Sequence, residues 1–420
     1  LAEAGIASAL IERRGDFGTG VAYATGFDRH LLNVRSNRMG AGEGRPDDFV
    51  RWLETRHPRY ADPEGFAPRR MYGLYVKDRL ASVEAARPGL IERVVGEAVA
   101  VDGAGVRLSE SRRIRAGTVV LTTGNPAPAT ARPAAGNGRV IGDPWAPAAL
   151  DRISPDEDVV IIGSGLTMVD VVLWLQAQGW RGRATALSRR GLTPRAHGAV
   201  HDAPVSPTPA LTRGPLSSRL AEARRLADSE GWRGVMEGFR PVTADLWAQA
   251  DATLRARFMR HLRPWWDVHR HRLAPAISLT IEAMASSGRL KVAAGRIRTV
   301  EETAEGVRVH WSPRGGGQAL RLESGWLIDC TGPGHDPAAD PLLGSLIAAG
   351  RARLDPLGLG LDVDAEGRAL GADGEPDPRL YVLGPPARAA FWETTAVPPI
   401  RKRIQRLTRD LSDVLAGGEA

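Results

Sequence analysis

Three short stretches of this chain carry residue types whose spacing suits the phosphates and sugars of a dinucleotide. The first is Gly163-Ser164-Gly165-Leu166-Thr167, which follows the apolar run Val159–Ile162 and precedes an apolar segment reaching about Gln178. A glycine at the end of a buried strand lets the chain turn sharply, and a second leaves room where a pyrophosphate must lie. The amides of the following helix donate to that phosphate, helped by the positive end of the helix dipole. Met168 stands where the third glycine of the usual pattern falls, which predicts a wider spacing of helix and strand. A plain βα turn has the same two glycines, so spacing alone leaves that alternative open. The second stretch is Ser188-Arg189-Arg190 at the end of the next expected strand, residues 183–188 (RATALS). An acid there would hold the ribose hydroxyls of NAD; arginine, planar and always charged, suits a 2′-phosphate and selects NADPH. Two solvated surface arginines are the bland alternative. The third is a strand over residues 6–11 (IASALI) ending at Glu12, with Arg13 after it. An acid at that place accepts hydrogen bonds from an adenosine ribose. Its partner glycine turn belongs ~20 residues upstream, so we expect the first strand and its GxGxxG to be missing from this chain.

The elements that must position these groups form an internal quasi-repeat. Residues 94–101 (VVGEAVAV), 105–108 and 118–121 (TVVL) read as strands ending in Thr122-Thr123-Gly124-Asn125. Residues 290–292, 306–311 (GVRVHW) and 326–330 (WLIDC) repeat the series and end in Thr331-Gly332. Each half therefore closes a β-meander on a buried strand and a Thr-Gly turn. From about 204 to 288 the pattern changes to helices rich in Arg, Trp and Ala, broken by Pro and Gly. A buried strand at 380–383 (LYVL) and a basic helix from about Pro398 complete the chain.

Composition narrows the function classes. With 43% hydrophobic and 25% charged residues, the 420-residue chain can bury cores for two or three domains. The net charge of +7 comes from 56 Lys and Arg against 49 Asp and Glu. The arginines are scattered and no nucleic-acid motif accompanies them, so no nucleic-acid partner is expected. No apolar run is long enough to span a bilayer, so no membrane partner is expected, and the first ten residues do not read as a signal peptide. Cys330 is the single cysteine, which excludes a disulfide framework and fits a reducing cytoplasm. Trp265, Trp266, His269 and His271 invite a metal reading, but His residues two apart face different sides of a helix; helix packing is expected, and no metal. His197 reads as a loop histidine. No GxSxG, HExxH or Walker A pattern is present, which disfavours hydrolases and phosphoryl transferases.

Longer stretches carry a resemblance. Residues 10–25 (LIERRGDFGTGVAYAT), 30–34 (HLLNV), Arg38-Met39 and 49–53 (FVRWL) resemble a bacterial family of FAD/NAD(P)-binding proteins. Residues 68–76 (PRRMYGLYV), 122–126 (TTGNP), Asp143-Pro144-Trp145, the GSGLTMVDVV run at Gly163 and 188–192 (SRRGL) continue the match in order. Residues 265–272 (WWDVHRHR), 330–333 (CTGP) and 392–401 (WETTAVPPIR) complete it. The family is similar to NADPH-dependent flavin monooxygenases, including amine N-hydroxylases. The resemblance implies that Glu12 and Arg13 hold the adenosine ribose, and that Asn33, Val34, Arg38 and Met39 lie along the flavin. Thr123, Gly124 and Asn125 would pass the dinucleotide where the chain crosses between domains. Val397, Pro399 and Ile400 would open a helix aimed at the flavin ring, where a helix N-terminus favours negative charge on reduced flavin. One departure is Gly384-Pro385-Pro386, where such flavoproteins have Gly-Asp.

The expected fold is α/β with two Rossmann-like, three-layer dinucleotide-binding domains. The first is discontinuous, over 1–150 and 326–420, and lacks its first strand. The second covers 151–325 and carries a helical insertion at about 204–288. The expected activity is an FAD- and NADPH-dependent oxidoreductase acting on a small molecule, including a monooxygenase of the N-hydroxylase kind. The alternative is a non-catalytic dinucleotide-binding or scaffold protein that has lost tight FAD binding.

Overall fold

The structure, a computed structural model, describes residues 1–126, 128, 138–334 and 336–417. The chain opens with β1 (Ser8–Glu12), short α1 (Gly20–Tyr23), α2 (Asp48–Arg56) and α3 (Arg69–Ala86). Strands β2 (Ile91–Val95), β3 (Ala98–Asp102), β4 (Gly105–Leu108), β5 (Arg113–Arg115), β6 (Val119–Leu121) and β7 (Val140–Ile141) follow. The glycine-turn unit is β8 (Val159–Ile162), α4 (Leu166–Ala177) and β9 (Ala184–Ser188). The insertion then runs through α5 (Pro209–Thr212), α6 (Leu216–Glu230), α7 (Trp232–Phe239), α8 (Thr243–Ala248), α9 (Ala252–Arg257), α10 (Arg263–Arg270) and α11 (Pro275–Ser286). Strands β10 (Leu290–Glu302), β11 (Val307–Pro313), β12 (Leu320–Ser324) and β13 (Trp326–Asp329) precede α12 (Pro341–Ala348). Strands β14 (Arg368–Leu370) and β15 (Pro376–Val382) lead to α13 (Val397–Gly417).

The largest sheet has seven strands in the order β12-β11-β10-β9-β8-β13-β7, with β10, β9, β8, β13 and β7 parallel. Strands β8 and β13 are apolar up to Asp329 and, but for half-buried Ile162, buried on both faces, as parallel strands covered from both sides must be. Against them packs α4, whose Met168, Val172 and Leu173 are at most 1% exposed. The 13-residue β10 serves two sheet geometries. It pairs parallel with β9 up to Ala294 and antiparallel with β11 from Gly295 on, with a register shift inside the antiparallel part between Ile297 and Thr299.

The strands of the remaining chain form smaller sheets: parallel β1-β2, a meander β3-β4-β5, and β14-β15-β6, in which β15 and β6 are parallel. Each half holds a meander, β3-β4-β5 and β10-β11-β12, but the runs at 118–121 and 326–330 do not close them: β6 pairs parallel with β15, and β13 parallel with β8. The run at 94–101, moreover, is two strands. The chain leaves β2 at Gly96, whose amide donates to Glu12 O at 3.1 Å, and enters the meander at Ala98. A Cβ at Gly96 would stand 2.8 Å from Leu108 Cδ1, so a side chain there would have to displace that buried leucine tip. The large sheet draws β7 from before residue 150 and β13 from after 325, so its strands cross both expected domain limits. No helix among the described residues is long and apolar enough to cross a membrane.

Candidate functional site

The strand order reverses between β8 and β13: β9 flanks β8 on one side and β13 on the other. In open parallel sheets ligands bind in the crevice at such a reversal, beyond the carboxyl ends of the strands. Gly163 leaves β8 at φ +101°, and a Cβ there would lie 2.4 Å from Cys330 O. Only glycine fits between the two strand ends. Gly165 is exposed, and a Cβ built on it meets nothing within 4 Å. It is also the N-cap of α4, without a capping side chain, so the first-turn amides of Leu166 and Thr167 are left for a ligand. Ser164 faces inward instead. Its Oγ donates to Leu192 O at 2.5 Å and pairs with Ser188 Oγ at 2.8 Å, which ties the glycine turn to the end of β9.

The two arginines after β9 part ways. Arg189 is exposed and makes no hydrogen bond or ion pair among the described residues. Arg190 donates to Arg260 O at 3.2 Å and His261 O at 3.4 Å, and so anchors the insertion.

Beyond the ends of β13 and β6 the two Thr-Gly turns meet: Gly334 N donates to Pro126 O at 3.3 Å. Thr123, Asn125 and Thr331 are exposed, and Gly124 (φ +76°) and Gly332 (φ +94°) both front open space. Gly384 ends β15, beside β6, with φ +84° and nothing within 4 Å of a Cβ. Thus Gly124, Gly165, Gly332 and Gly384 all stand where a parallel strand ends and all leave room above the backbone.

Glu12 ends β1. One carboxylate oxygen accepts the amides of Arg14 and Asp16, the latter at 3.2 Å, and its other oxygen is uncommitted among the described residues. Arg13 pairs with Glu97 at 3.6 Å on the surface. Met39 is 2% exposed in a core cluster that Val34 and Val397 pack against, so the 33–39 segment and the start of α13 are together. Arg401 fastens that junction through Gly40 O at 2.5 Å and Glu43 at 3.3 Å. Pro398 and Pro399 supply no amide and Ile400 N donates to Ala396 O at 3.1 Å, so the first turn of α13 acts through Val397 and the helix field. Close by in sequence, Thr394 is 1% exposed and its Oγ1 has no hydrogen-bond partner among the described residues.

Buried charges absent from the sequence expectations hold the parts in register. Arg69 grips Asp170 of α4 with two hydrogen bonds, at 2.7 and 3.1 Å. His30 spans from Thr25 Oγ1 (2.9 Å) to Asp170 O (3.1 Å), and burial pushes its pKa down. Glu237 of α7 accepts from Arg240 (2.6 Å), Arg272 (3.0 Å) and Arg38 (3.3 Å). Burial works to raise its pKa, but the Arg240 hydrogen bond and the charges of Arg240, Arg272 and Arg38 bring it down to about 2. The Arg38 side chain is therefore turned to the insertion. His197 binds Asn33 O at 3.0 Å through Nε2; burial lowers its pKa to about 4, so it is neutral there. It lies in a loop as expected but is only 9% exposed, a buried tie rather than a solvated side chain.

The WWDVHRHR and WETT stretches face each other: Glu393 accepts from Trp266 Nε1 at 3.0 Å and from Arg270 at 2.8 and 3.0 Å. Glu393 adopts φ 68°, an uncommon conformation for a side-chain-bearing residue. His269 bonds Trp265 O at 2.7 Å, and burial lowers the pKa of His271. Among the described residues no group of three or more His, Cys, Asp or Glu is arranged to hold a metal. Burial pushes the Cys330 thiol up, which keeps it unreactive. The signal for Asp170 is present in the sequence, as one carboxylate inside an otherwise apolar helix; Arg69, Glu237 and Glu393 carry no such mark.

Residues 3–126 match the sequence model of a family described as FAD-NAD(P)-binding. No curated protein matches the sequence. Among solved structures, the ornithine N-hydroxylase of Kutzneria sp. 744, with reduced FAD, NADP+ and L-ornithine, is 17% identical with a TM-score of 0.63. That alignment covers 97% of this chain and 92% of the hydroxylase. The FAD-bound cadaverine monooxygenase of Erwinia amylovora is 14% identical with a TM-score of 0.63, over 96% of this chain and 94% of that one. A thioredoxin reductase of T. acidophilum is 11% identical with a TM-score of 0.53, over 99% and 92%. At these identities the likeness is one of fold, and it is the fold of the two-dinucleotide flavoproteins.

Proposed function

We propose that this chain is an FAD- and NADPH-dependent oxidoreductase of the flavin monooxygenase kind, acting on a small molecule in the cytoplasm. One observation carries the reading: Gly124, Gly165, Gly332 and Gly384 each follow a parallel strand, and a Cβ on each would meet nothing within 4 Å. Backbone exposed in that way suits phosphates that must come close. The donor set fits both cofactors. Glu12 keeps one oxygen for a ribose, and Thr394 Oγ1 is a buried hydroxyl still lacking a partner among the described residues. Arg189 is an unpaired guanidinium at the place where a 2′-phosphate is expected. Gly384-Pro385-Pro386 offers no acid, so this stretch can contribute only backbone to the FAD site.

When bound, the cofactors supply hydride transfer and the redox centre. The protein's own share is positioning. Gly165 and the amides of Leu166 and Thr167 receive the pyrophosphate, and Arg189 selects the phosphorylated ribose. The start of α13 biases the flavin side toward negative charge, despite its two prolines. The Glu393–Arg270 pair ties the insertion to the segment before α13, and the Arg38–Glu237 pair ties it to the first segment of the chain. The N-hydroxylase and cadaverine monooxygenase likenesses support a monooxygenase; the reductase likeness supports the shared cofactor architecture. The test is to load the protein with FAD and add NADPH or NADH without oxygen. Flavin absorbance should bleach with NADPH, and faster than with NADH. No uptake of FAD, or no bleaching by either nucleotide, overturns the proposal.

A further inference from the structure

The helical insertion forms a partly open pocket of about 420 Å³ between α5–α10 and Trp392. Its inner wall is aromatic: Trp232, Trp247, Phe258, Trp265, Trp266 and Trp392. Trp247 and Trp392 stack at 4.6 Å, and Phe258 meets Trp392 edge-on at 5.6 Å and Trp266 at 5.9 Å. These rings brace each other, so the space is built rather than left by loose packing. A dry apolar cavity of about 150 Å³ takes benzene; this one takes an apolar body two to three times that size.

The charges on the wall have one sign. Arg219, Arg224 and Arg255 line it, and no Asp or Glu does. Arg219 donates to Gly214 O at 2.9 Å, and Arg255 donates to carbonyls at 3.1 to 3.5 Å while lying over the Trp247 ring. Arg224 is exposed and has no hydrogen bond or ion pair among the described residues. None of the three is neutralised by a carboxylate, and His269 on the same wall has its pKa lowered by burial and carries no charge at neutral pH. An apolar pocket with a few convergent polar groups is the usual form of a small-molecule site. We propose that this pocket binds an amphipathic organic anion, an acyl or aryl carboxylate, with its apolar body among the tryptophans and its carboxylate against Arg219 and Arg224. The site lies outside the strand-end crevice, and the inference stands whether or not the dinucleotide proposal holds.

Three ten-carbon probes of equal length separate the contributions: decanoate, 1-decanol and decylamine. Binding is followed by tryptophan fluorescence and by calorimetry on the full chain. Decanoate should bind saturably, decanol about tenfold or more weaker, and decylamine weakest, because a charge-assisted contact is lost and then reversed. R219E/R224E should weaken decanoate by about tenfold or more and leave decanol unchanged. A223W, which fills the space, should abolish both, with the circular dichroism spectrum showing that the fold is kept. Saturable decanoate binding that survives A223W, an affinity indifferent to R219E/R224E, or decylamine binding as tightly as decanoate each overturns the proposal. NADPH titration of the same variants reads the strand-end crevice separately, so loss of one site is not mistaken for loss of the other.

Discussion

At the scale of single residues, the groups proposed to meet phosphate were the legible ones, because their chemistry is local. A glycine that ends a buried strand and an arginine that ends the next one announce themselves by type and spacing. The division of labour between Arg189 and Arg190 was not legible, since it depends on carbonyls of residues about seventy positions away. It has a measurable consequence. R189A should weaken NADPH by ~1.5–3 kcal/mol and NADH little, as the loss of a charged hydrogen bond does. R190A should change both nucleotides alike through the insertion. Equal losses of NADPH and NADH in R189A would remove the 2′-phosphate assignment. Gly165→Asp is a second test at this scale. A Cβ there meets nothing within 4 Å, so the variant should melt like the parent, yet its charge would stand at the pyrophosphate and abolish NADPH binding. Undiminished NADPH binding by the folded variant would refute the role. His197 gives a pH test. Its folded pKa of about 4 lies below its ordinary 6.5, so the unfolded chain takes up the proton first. The stability tied to the neutral ring is whole above pH 6.5 and is lost as pH falls toward 4. Glu237, lowered to about 2, adds its own loss below pH 4.5. In H197Q the urea midpoint should fall less steeply than in the parent between pH 6.5 and 4; parallel slopes would show that His197 titrates normally.

At the scale of elements, the patterns of period two and the fully apolar runs located the strands, and β8 and β13 lie where the pattern set them. What the pattern lacked was the sheet to which each belongs. Residues 94–101 are continuous in hydrophobicity but divided in space, because the turn at Gly96 sends β2 to β1 and β3 to the meander. Helix α4 is the inverse case. Its apolar surface foretold burial, while Asp170 within it makes sense only beside Arg69, far off in sequence. That pair joins the first segment of the chain to the glycine-turn unit, with side chains 19% and 8% exposed. Breaking one side of a buried pair typically costs ~3–5 kcal/mol because the other charge is stranded, whereas replacing both is much milder. D170N should therefore lower the urea midpoint strongly, and R69M/D170L should recover much of the loss. A D170N midpoint indistinguishable from that of the parent would mean that the pair is ornamental and that other contacts fix the junction.

The whole molecule couples sheets of very different size around one crevice. Strands β8, β9 and β13 sit inside seven strands, wrapped by α4 and α11 and a continuous apolar core. Strands β1 and β2 form a pair alone, and Glu12 at the end of β1 is half exposed. A two-stranded sheet has marginal stability by itself and depends on what packs against it. Opening free energies across such a molecule are not uniform, and segments with few buried neighbours open first. A ligand that binds only the closed form stabilises it in proportion to the logarithm of its concentration over Kd. Two consequences meet in one measurement, amide hydrogen exchange with and without FAD. Without it, β8 and β13 should be the slowest to exchange and β1 and β2 among the fastest strands. With saturating FAD, protection should rise at β1, β6 and the start of α13, and hardly at all in β9 and β10. NADPH should reverse that preference, protecting the Gly163 turn and the end of β9. If FAD protects the β9 side instead, or if β1 exchanges as slowly as β8 before any ligand is added, then the assignment of the two cofactors to the two halves of the molecule is wrong, whatever the fold it shares with flavoproteins.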